Sequence, residues 1–155
     1  MESPQVMIVD DSEVVRKILS TCLKRVGIAS VSYSDGYELL RALKTQSDLL
    51  PSVIILDLHM PKMDGYALAR LLRSDPRFDE TPLIFLTGYD SLWNRLHARV
   101  FKRTRYLLKP FTRQDILGIV FDYVHMPPKT TEAATRHIPY IKGGYHGYTI
   151  VVPQS

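Results

Sequence analysis

The stretch SVIILDLHMPKMDGY, residues 52–66, runs four apolar residues directly into a carboxylate. Residues 53–56 have the unbroken apolar character of a buried strand, and Asp57 follows them at once. Burying an unpaired carboxylate costs several kcal/mol, so Asp57 must be paired or used at the end of that strand. Pro61 and Gly65 indicate that a loop follows. The role of this charge depends on which other residues lie near the end of that strand.

The composition is that of an ordinary globular domain. At 155 residues the chain is long enough for one domain with its own core. No stretch reaches the roughly 18 consecutive apolar residues of a membrane span, and the N-terminus lacks the features of a signal peptide. The single cysteine, Cys22, cannot form an internal disulfide, which fits a reducing compartment. We therefore expect a cytoplasmic protein without a membrane anchor.

Further short apolar runs predict strands that are covered on both faces, because they lack the alternation of a half-exposed strand. These runs are residues 6–9, 53–56, 83–86 and 106–108, and a weaker predicted strand, residues 29–33, fills the gap after the first helix. Apolar residues at three- and four-residue spacing predict helices at residues 14–26, 36–43, 67–72, 92–101 and 116–124. Ser12 and the pair Thr112 and Asp115 are capping signals, and Gly27 closes the first helix. The alternation predicts a doubly wound α/β fold with a five-stranded parallel sheet.

Polar residues follow four of the predicted strands at the point where each strand ends. They are Asp10 and Asp11, Asp57, Thr87 and Gly88, and Lys109 and Pro110. In doubly wound sheets, ligands bind outside the carboxyl ends of the strands. A single aspartate at a strand end is usually a turn or a helix cap, but that explanation does not account for four such ends. We expect these residues to form one site.

Three carboxylates at one edge repel each other unless a cation lies between them. Hard oxygen ligands with room for water suit Mg²⁺. The histidines are scattered without the spacing of a zinc site: His59, His97, His125, His137 and His146. Lys109 and the Thr87 hydroxyl can hold the oxygens of a phosphoryl group, and Asp57 can act as its nucleophile.

Residues 4–124 resemble the receiver domain of two-component response regulators, of the single-domain chemotaxis type. Asp10 and Asp11 resemble the acidic pair of that family, Asp57 its phosphoacceptor, and MPKMDG, residues 60–65, the loop that follows. Thr87 is similar to the switch hydroxyl. Tyr106 is similar to the switch aromatic, and Lys109-Pro110 to a pair whose peptide is typically cis.

The resemblance implies a flavodoxin-like fold with strand order 2-1-3-4-5. It also implies Mg²⁺ bound by Asp11, Asp57 and the backbone carbonyl of His59, with Asp10 helping through water. The phosphodonor would be a histidine kinase or a phosphotransfer protein. His59 and Tyr89 lie two residues beyond the phosphoacceptor and the switch threonine, where the family tunes the lifetime of the phosphoryl group.

The same resemblance implies a switch. Phosphorylation adds charge and acceptor oxygens; Thr87 then moves toward the phosphoryl group and Tyr106 rotates inward. The face formed by residues 92–101, 106–108 and 116–124 would change and act as the output surface. Ordinary half-buried packing of Tyr106 and a solvated Lys109 are the plainer alternatives.

The segment RLHARVFKRTRY, residues 95–106, departs from the family pattern because it carries five basic residues and no acidic one. They are Arg95, Arg99, Lys102, Arg103 and Arg105. On the expected output face they would suit an acidic partner surface or nucleic-acid phosphates, against the alternative of a solvated basic face. Nothing resembles a helix-turn-helix, so we expect no sequence-specific DNA binding.

Residues 125–155 form the other departure. Met126-Pro127-Pro128 ends the preceding helix, and two β-prone runs around Gly143-Gly144 and Gly147 predict a hairpin. This extension would bind a partner or a second copy of the chain, begin a second domain, or be a loose tail.

We therefore expect a receiver domain, residues 4–124, that acts alone and binds an unidentified downstream protein when phosphorylated. The alternatives are a receiver-like docking protein that works without phosphorylation and a receiver module of a longer regulator. A phosphatase of the haloacid dehalogenase type is disfavoured, because Asp57-Leu58-His59 lacks the second aspartate that would serve as the general acid. The remaining alternative function is non-specific nucleic-acid binding by the basic segment, residues 95–106.

Overall fold

The computed structural model of the chain describes residues 5–88, 101–124 and 150–151. Its strands are β1 (Val6–Val9), β2 (Ser30–Tyr33), β3 (Val53–Asp57), β4 (Leu83–Thr87), β5 (Thr104–Leu108) and β6 (Ile150–Val151). Its helices are α1 (Glu13–Lys24), α2 (Gly36–Thr45), α3 (Gly65–Arg73) and α4 (Arg113–Val124). The helix predicted at residues 92–101 lies outside the described residues, except for Phe101, which is buried and not helical.

The strands form one parallel sheet in the order β2-β1-β3-β4-β5-β6. Its first five strands confirm the predicted flavodoxin-like order 2-1-3-4-5. Val9 is in register with Tyr33 and Leu56, and Asp57 with Leu86. This register brings the carboxyl ends of β1, β3 and β4 to the same level of one edge.

Both faces of the sheet are covered, which explains the unbroken apolar runs. Alternate residues of each strand point to opposite faces, so Ile8 and Ile55 pack with α1 and α4, and Met7 and Ile54 pack with α2 and α3. All four side chains have no solvent exposure. Each such buried side chain contributes about 1.5–3 kcal/mol, and the resulting rigid sheet fixes where its strands end.

The predicted capping signals are confirmed. The Ser12 hydroxyl accepts from the Val15 N–H at 3.4 Å. The Asp115 carboxylate accepts from the Thr112 N–H at 2.7 Å, while the Thr112 hydroxyl accepts from the Asp115 N–H at 3.2 Å, a reciprocal capping box. Gly27 has a φ of +77°, the left-handed conformation that a glycine after a helix supplies.

The sixth strand, β6, lies in the extension, where the sequence predicted only a hairpin. Ile150 pairs with Tyr106 and Val151 with Leu107, parallel to β5. These two residues of the extension therefore pair with the sheet of the domain, whereas the hairpin glycines lie outside the described residues. Among the described helices, none is both long and apolar enough to cross a membrane.

Candidate functional site

The three predicted metal-ligating carboxylates lie together at the carboxyl edge of the sheet. Asp10, Asp11 and Asp57 each offer an oxygen within 4.8 Å of the others. Asp10 is fully buried, Asp57 is 4% exposed and Asp11 is exposed. A cluster that is closed on one side and open to solvent on the other leaves a cation free to enter and keep water ligands, as Mg²⁺ prefers.

Asp10 and Asp11 follow the end of β1 directly. Asp10 is held from two sides: the Ser12 N–H donates to its Oδ1 at 2.8 Å, and Arg16 Nη1 donates to its backbone carbonyl at 2.7 Å. The start of α1 therefore fixes the buried carboxylate.

Lys109 bridges the two buried carboxylates. Its Nζ lies 3.2 Å from Oδ2 of Asp10 and 3.4 Å from Oδ1 of Asp57. The Lys109 N–H donates to the Thr87 carbonyl at 2.7 Å, which ties the end of β5 to the end of β4, and the Lys109-Pro110 peptide is cis, as the resemblance implied. One ammonium against three carboxylates leaves the site negative and suited to a further cation.

Burial raises the pKa of Asp57 above its ordinary value, and the neighbouring charge of Asp10 raises it further. The Lys109 ammonium and the His59 N–H act in the opposite direction without reversing the shift. The ionised form of Asp57 is therefore costly in this site, and a cation that binds there relieves that cost.

The loop after β3 is fixed by backbone contacts close to Asp57. The His59 N–H donates to Asp57 Oδ1 at 3.2 Å, and the Gly65 N–H donates to the Leu58 carbonyl at 3.1 Å. A Cβ at residue 65 would lie 2.5 Å from the Asp57 carbonyl oxygen, so the close approach requires glycine. The His59 side chain is exposed beside the site.

The two predicted switch residues are both buried: Thr87 is 1% exposed and Tyr106 is 4% exposed. The Tyr106 ring packs 5.2 Å from that of Phe85, and its hydroxyl lies 3.4 Å from the hydroxyl of Tyr66. Tyr106 thus points inward in this structure. Gly88, at the end of β4, is exposed.

Sequence reasoning missed Tyr66 as a contact of Tyr106, the predicted switch aromatic. Its position directly after Gly65 marks it only as a residue of the first turn of a helix. The contact spans 40 residues of sequence, and no local pattern reports it.

The expected basic partner face is described only in part, because Arg95 and Arg99 lie outside the described residues, as does Tyr89. Lys102 is exposed. Arg103 lies 3.5 Å from Glu80. Arg105 pairs with Asp122 and stacks over the Tyr123 ring at 5.0 Å. Part of this positive charge is therefore balanced by acidic side chains of the same chain.

The chain is thus a doubly wound α/β domain whose ligand site, with its lysine-bridged carboxylates, lies outside the carboxyl ends of the strands. A family model described as response regulator receiver domain matches residues 6–121. The chain belongs to the response regulator receiver domain family, whose members are signalling phosphoacceptors of two-component systems rather than classical enzymes. This assignment excludes the haloacid dehalogenase alternative.

Individual relatives agree with the family. The chain is similar to Protein PilG of Pseudomonas aeruginosa, with 34% identity over 126 residues, covering 81% of this chain and 90% of PilG. Other relatives are longer: the chain spans 14% of the sensor histidine kinase CheAY of Helicobacter pylori.

Solved structures share the fold. Chemotaxis protein CheY4 of Vibrio cholerae superposes with a TM-score of 0.70 at 28% identity, covering 79% of this chain and 99% of CheY4. The receiver domain of the sensor histidine kinase PA1611 of Pseudomonas aeruginosa superposes with a TM-score of 0.67 at 22% identity, covering 81% of this chain and 100% of that domain. That domain was solved with a magnesium ion coordinated in its active-site cleft.

Proposed function

We propose that Asp57 accepts a phosphoryl group from a phosphohistidine of a histidine kinase or phosphotransfer protein, in a reaction that requires Mg²⁺. The observation that carries the proposal is the bridge from Lys109 Nζ to Asp10 and Asp57, 3.2 Å and 3.4 Å long. Such a bridge holds a cation where the oxygens of an incoming phosphoryl group would lie. The cytoplasm, where such donors act, is the compartment expected from the sequence.

The chain's own residues supply nucleophile and position. An oxygen of Asp57 attacks phosphorus while the bond from phosphorus to the donor nitrogen breaks, and that nitrogen keeps the electron pair. A phosphohistidine protonated on its other ring nitrogen leaves as neutral imidazole, so no further proton is needed. The Lys109 ammonium donates to a phosphoryl oxygen and offsets its charge, which is the main requirement of phosphoryl transfer.

Asp10, Asp11 and Asp57, together with the backbone carbonyl of His59, are the groups that would hold Mg²⁺. The carboxylates fit the ion because their oxygens converge within 4.8 Å. When bound, Mg²⁺ supplies the positive charge that lets a phosphate approach three carboxylates.

The same site would also return Asp57 to its free form. Water attacks phosphorus, the phosphorus–oxygen bond to Asp57 breaks, and the carboxylate leaves as phosphate takes the proton of water. His59, exposed beside Asp57, and Tyr89 would set how readily water reaches the phosphorus and hence the lifetime of the phosphoryl group.

Output would pass through Thr87 and Tyr106 to a downstream protein. Thr87 ends the strand next to Asp57, so its hydroxyl can donate to a phosphoryl oxygen, and Tyr106 lies on the adjacent strand β5. Lys102, exposed near the start of β5, would favour an acidic partner surface.

The direct test is intact mass after incubation with phosphoramidate, whose phosphorus–nitrogen bond stands in for phosphohistidine. With Mg²⁺ the wild-type chain should gain the mass of one phosphoryl group, and with a chelator it should not. Asp57→Asn should gain none, while Asp79→Asn, an exposed aspartate outside the acidic cluster, should behave as wild type. A folded wild-type chain that never gains this mass would instead favour docking without phosphorylation.

A second candidate is a receiver module within a longer regulator. It is favoured by the small share of CheAY that the chain spans, 14%. The mass experiment gives the same result for a receiver domain that acts alone and for a receiver module of a longer regulator. Fusing the chain to the domain that it regulates would distinguish these two arrangements.

A further inference from the structure

Tyr66 connects the loop after the phosphoacceptor to the switch aromatic. It follows Gly65, whose backbone lies against the Asp57 carbonyl so closely that no Cβ would fit. At its other end, the Tyr66 hydroxyl lies 3.4 Å from the Tyr106 hydroxyl. The side chain therefore spans from the end of β3, which carries Asp57, to β5.

The Tyr66 ring is held by other rings. It lies 5.3 Å from Phe85 and is stacked nearly parallel, at 8°, on Phe101 at 6.2 Å. Phe85 also packs against Tyr106 at 5.2 Å. These aromatic contacts restrict where the Tyr66 hydroxyl can go. Burial also raises the pKa of Tyr66, so its phenol keeps its proton at neutral pH and can donate to the Tyr106 hydroxyl or accept from it.

The distance between the Tyr66 and Tyr106 hydroxyls makes their contact sensitive to small movements. Strong O–H···O bonds are about 2.7–2.8 Å long, so 3.4 Å is a weak contact that a small movement strengthens or breaks. A shift of the Asp57 loop moves Gly65 and therefore Tyr66, because no free space separates the Gly65 backbone from the Asp57 carbonyl. The contact is thus placed where a small displacement at the phosphoacceptor alters the environment of Tyr106.

We propose that Tyr66 is a positioning residue that holds Tyr106 in its buried position and couples that position to the Asp57 loop, by a route separate from Thr87. The inference rests on the proposed function, in which Tyr106 is the switch aromatic. The basis is the hydroxyl pair, the ring packing and the close approach of Gly65 to Asp57.

The experiment uses the full chain with carbon-13-labelled tyrosine rings, and Tyr106→Phe assigns the Tyr106 signals. Tyr66→Phe removes the hydroxyl and keeps the ring. In this variant the Tyr106 signals should move toward those of an exposed ring, with a roughly two- to tenfold change in the ratio of buried to outward Tyr106, the size expected for one net hydrogen bond. Tyr37→Phe, which alters an exposed tyrosine on α2, should leave the Tyr106 signals unchanged.

A purely structural role for Tyr66 would lower the melting temperature of Tyr66→Phe and leave the Tyr106 signals of the folded protein in place. That result would overturn the proposal. The phosphorylated state provides the second arm: with phosphoramidate and Mg²⁺, the phosphorylation-dependent shift of Tyr106 should be altered in Tyr66→Phe. If Asp57 is never phosphorylated but Tyr66→Phe still moves Tyr106, the proposed function fails and the positioning contact stands.

Discussion

Gly65 packs its α-carbon against the end of the strand that carries Asp57, and a Cβ there would lie 2.5 Å from the Asp57 carbonyl oxygen and 3.0 Å from the Leu58 α-carbon. Both neighbours are backbone atoms, which cannot rotate away as a side-chain end could. The start of α3 therefore fixes the end of β3 in place.

Gly65→Ala should consequently destabilise the chain by about 1–3 kcal/mol, the usual cost of overpacking a tight site. Gly88→Ala is a matched control for stability, because a Cβ at residue 88 meets nothing within 4 Å. Denaturant unfolding of both variants measures the difference. Equal stability of the two would contradict the close approach.

Asp57 has a pKa that burial and Asp10 raise above its ordinary value, so the folded chain binds this proton more tightly than the unfolded chain. Stability should then fall as pH rises from the unfolded pKa of Asp57 through its folded pKa. Asp57→Asn cannot ionise at this position, so its stability should not fall with pH in this way. The variant should melt at a higher temperature than wild type at neutral pH, and the advantage should shrink in acid.

Asp75 provides a control of opposite sign. Hydrogen bonds from Arg77 lower its pKa, so its contribution is present at neutral pH and lost as pH falls through its folded pKa. Asp75→Asn should therefore not gain stability at neutral pH.

Mg²⁺ should raise the melting temperature of wild type more than that of Asp57→Asn, since the variant lacks one ligand charge. Equal shifts in both proteins would speak against a metal at this site.

Lys109 neutralises two buried carboxylates, so its loss should expose their repulsion. Lys109→Met keeps most of the side-chain volume and removes the charge. It should cost about 1–3 kcal/mol of stability at neutral pH, below the figure for a fully buried pair because Lys109 is 29% exposed.

A double-mutant cycle identifies the carboxylate responsible. The cost of Lys109→Met should be smaller in an Asp57→Asn background, because only Asp10 is then left unpaired. Lys102→Met, at an exposed lysine, is the control and should change stability little. Additive effects of Lys109→Met and Asp57→Asn would show that the 3.4 Å contact carries no energy.

The apolar runs predicted the strands and the switch-point rule predicted that their ends converge, whereas the strand order was implied by the resemblance to receiver domains. The sequence could not show that Asp10 is buried while Asp11 is exposed, because the sequence pattern does not show which of the two side chains the rest of the domain covers. Nor could it show the contact between Tyr66 and Tyr106, because that pair depends on how α3 packs beside β5.

The strand β6 is the feature for which the sequence offered only a β-prone run, and its pairing with β5 has a measurable consequence. Among the described residues, β5 lies between β4 and β6, so without β6 it becomes an edge with unpaired backbone groups. Val151→Pro removes a backbone donor and should disrupt the pairing of Val151 with Leu107.

We expect faster amide exchange within residues 104–108 of Val151→Pro, with exchange in β1 unchanged, when both proteins are followed by hydrogen–deuterium exchange. Val151→Ile retains the donor and the β-branched side chain and should match wild type. The exposed edge should also promote self-association, which sedimentation at increasing protein concentration would detect. If β5 exchanges at the wild-type rate in Val151→Pro, β6 does not protect this edge in solution, and the extension must bind elsewhere.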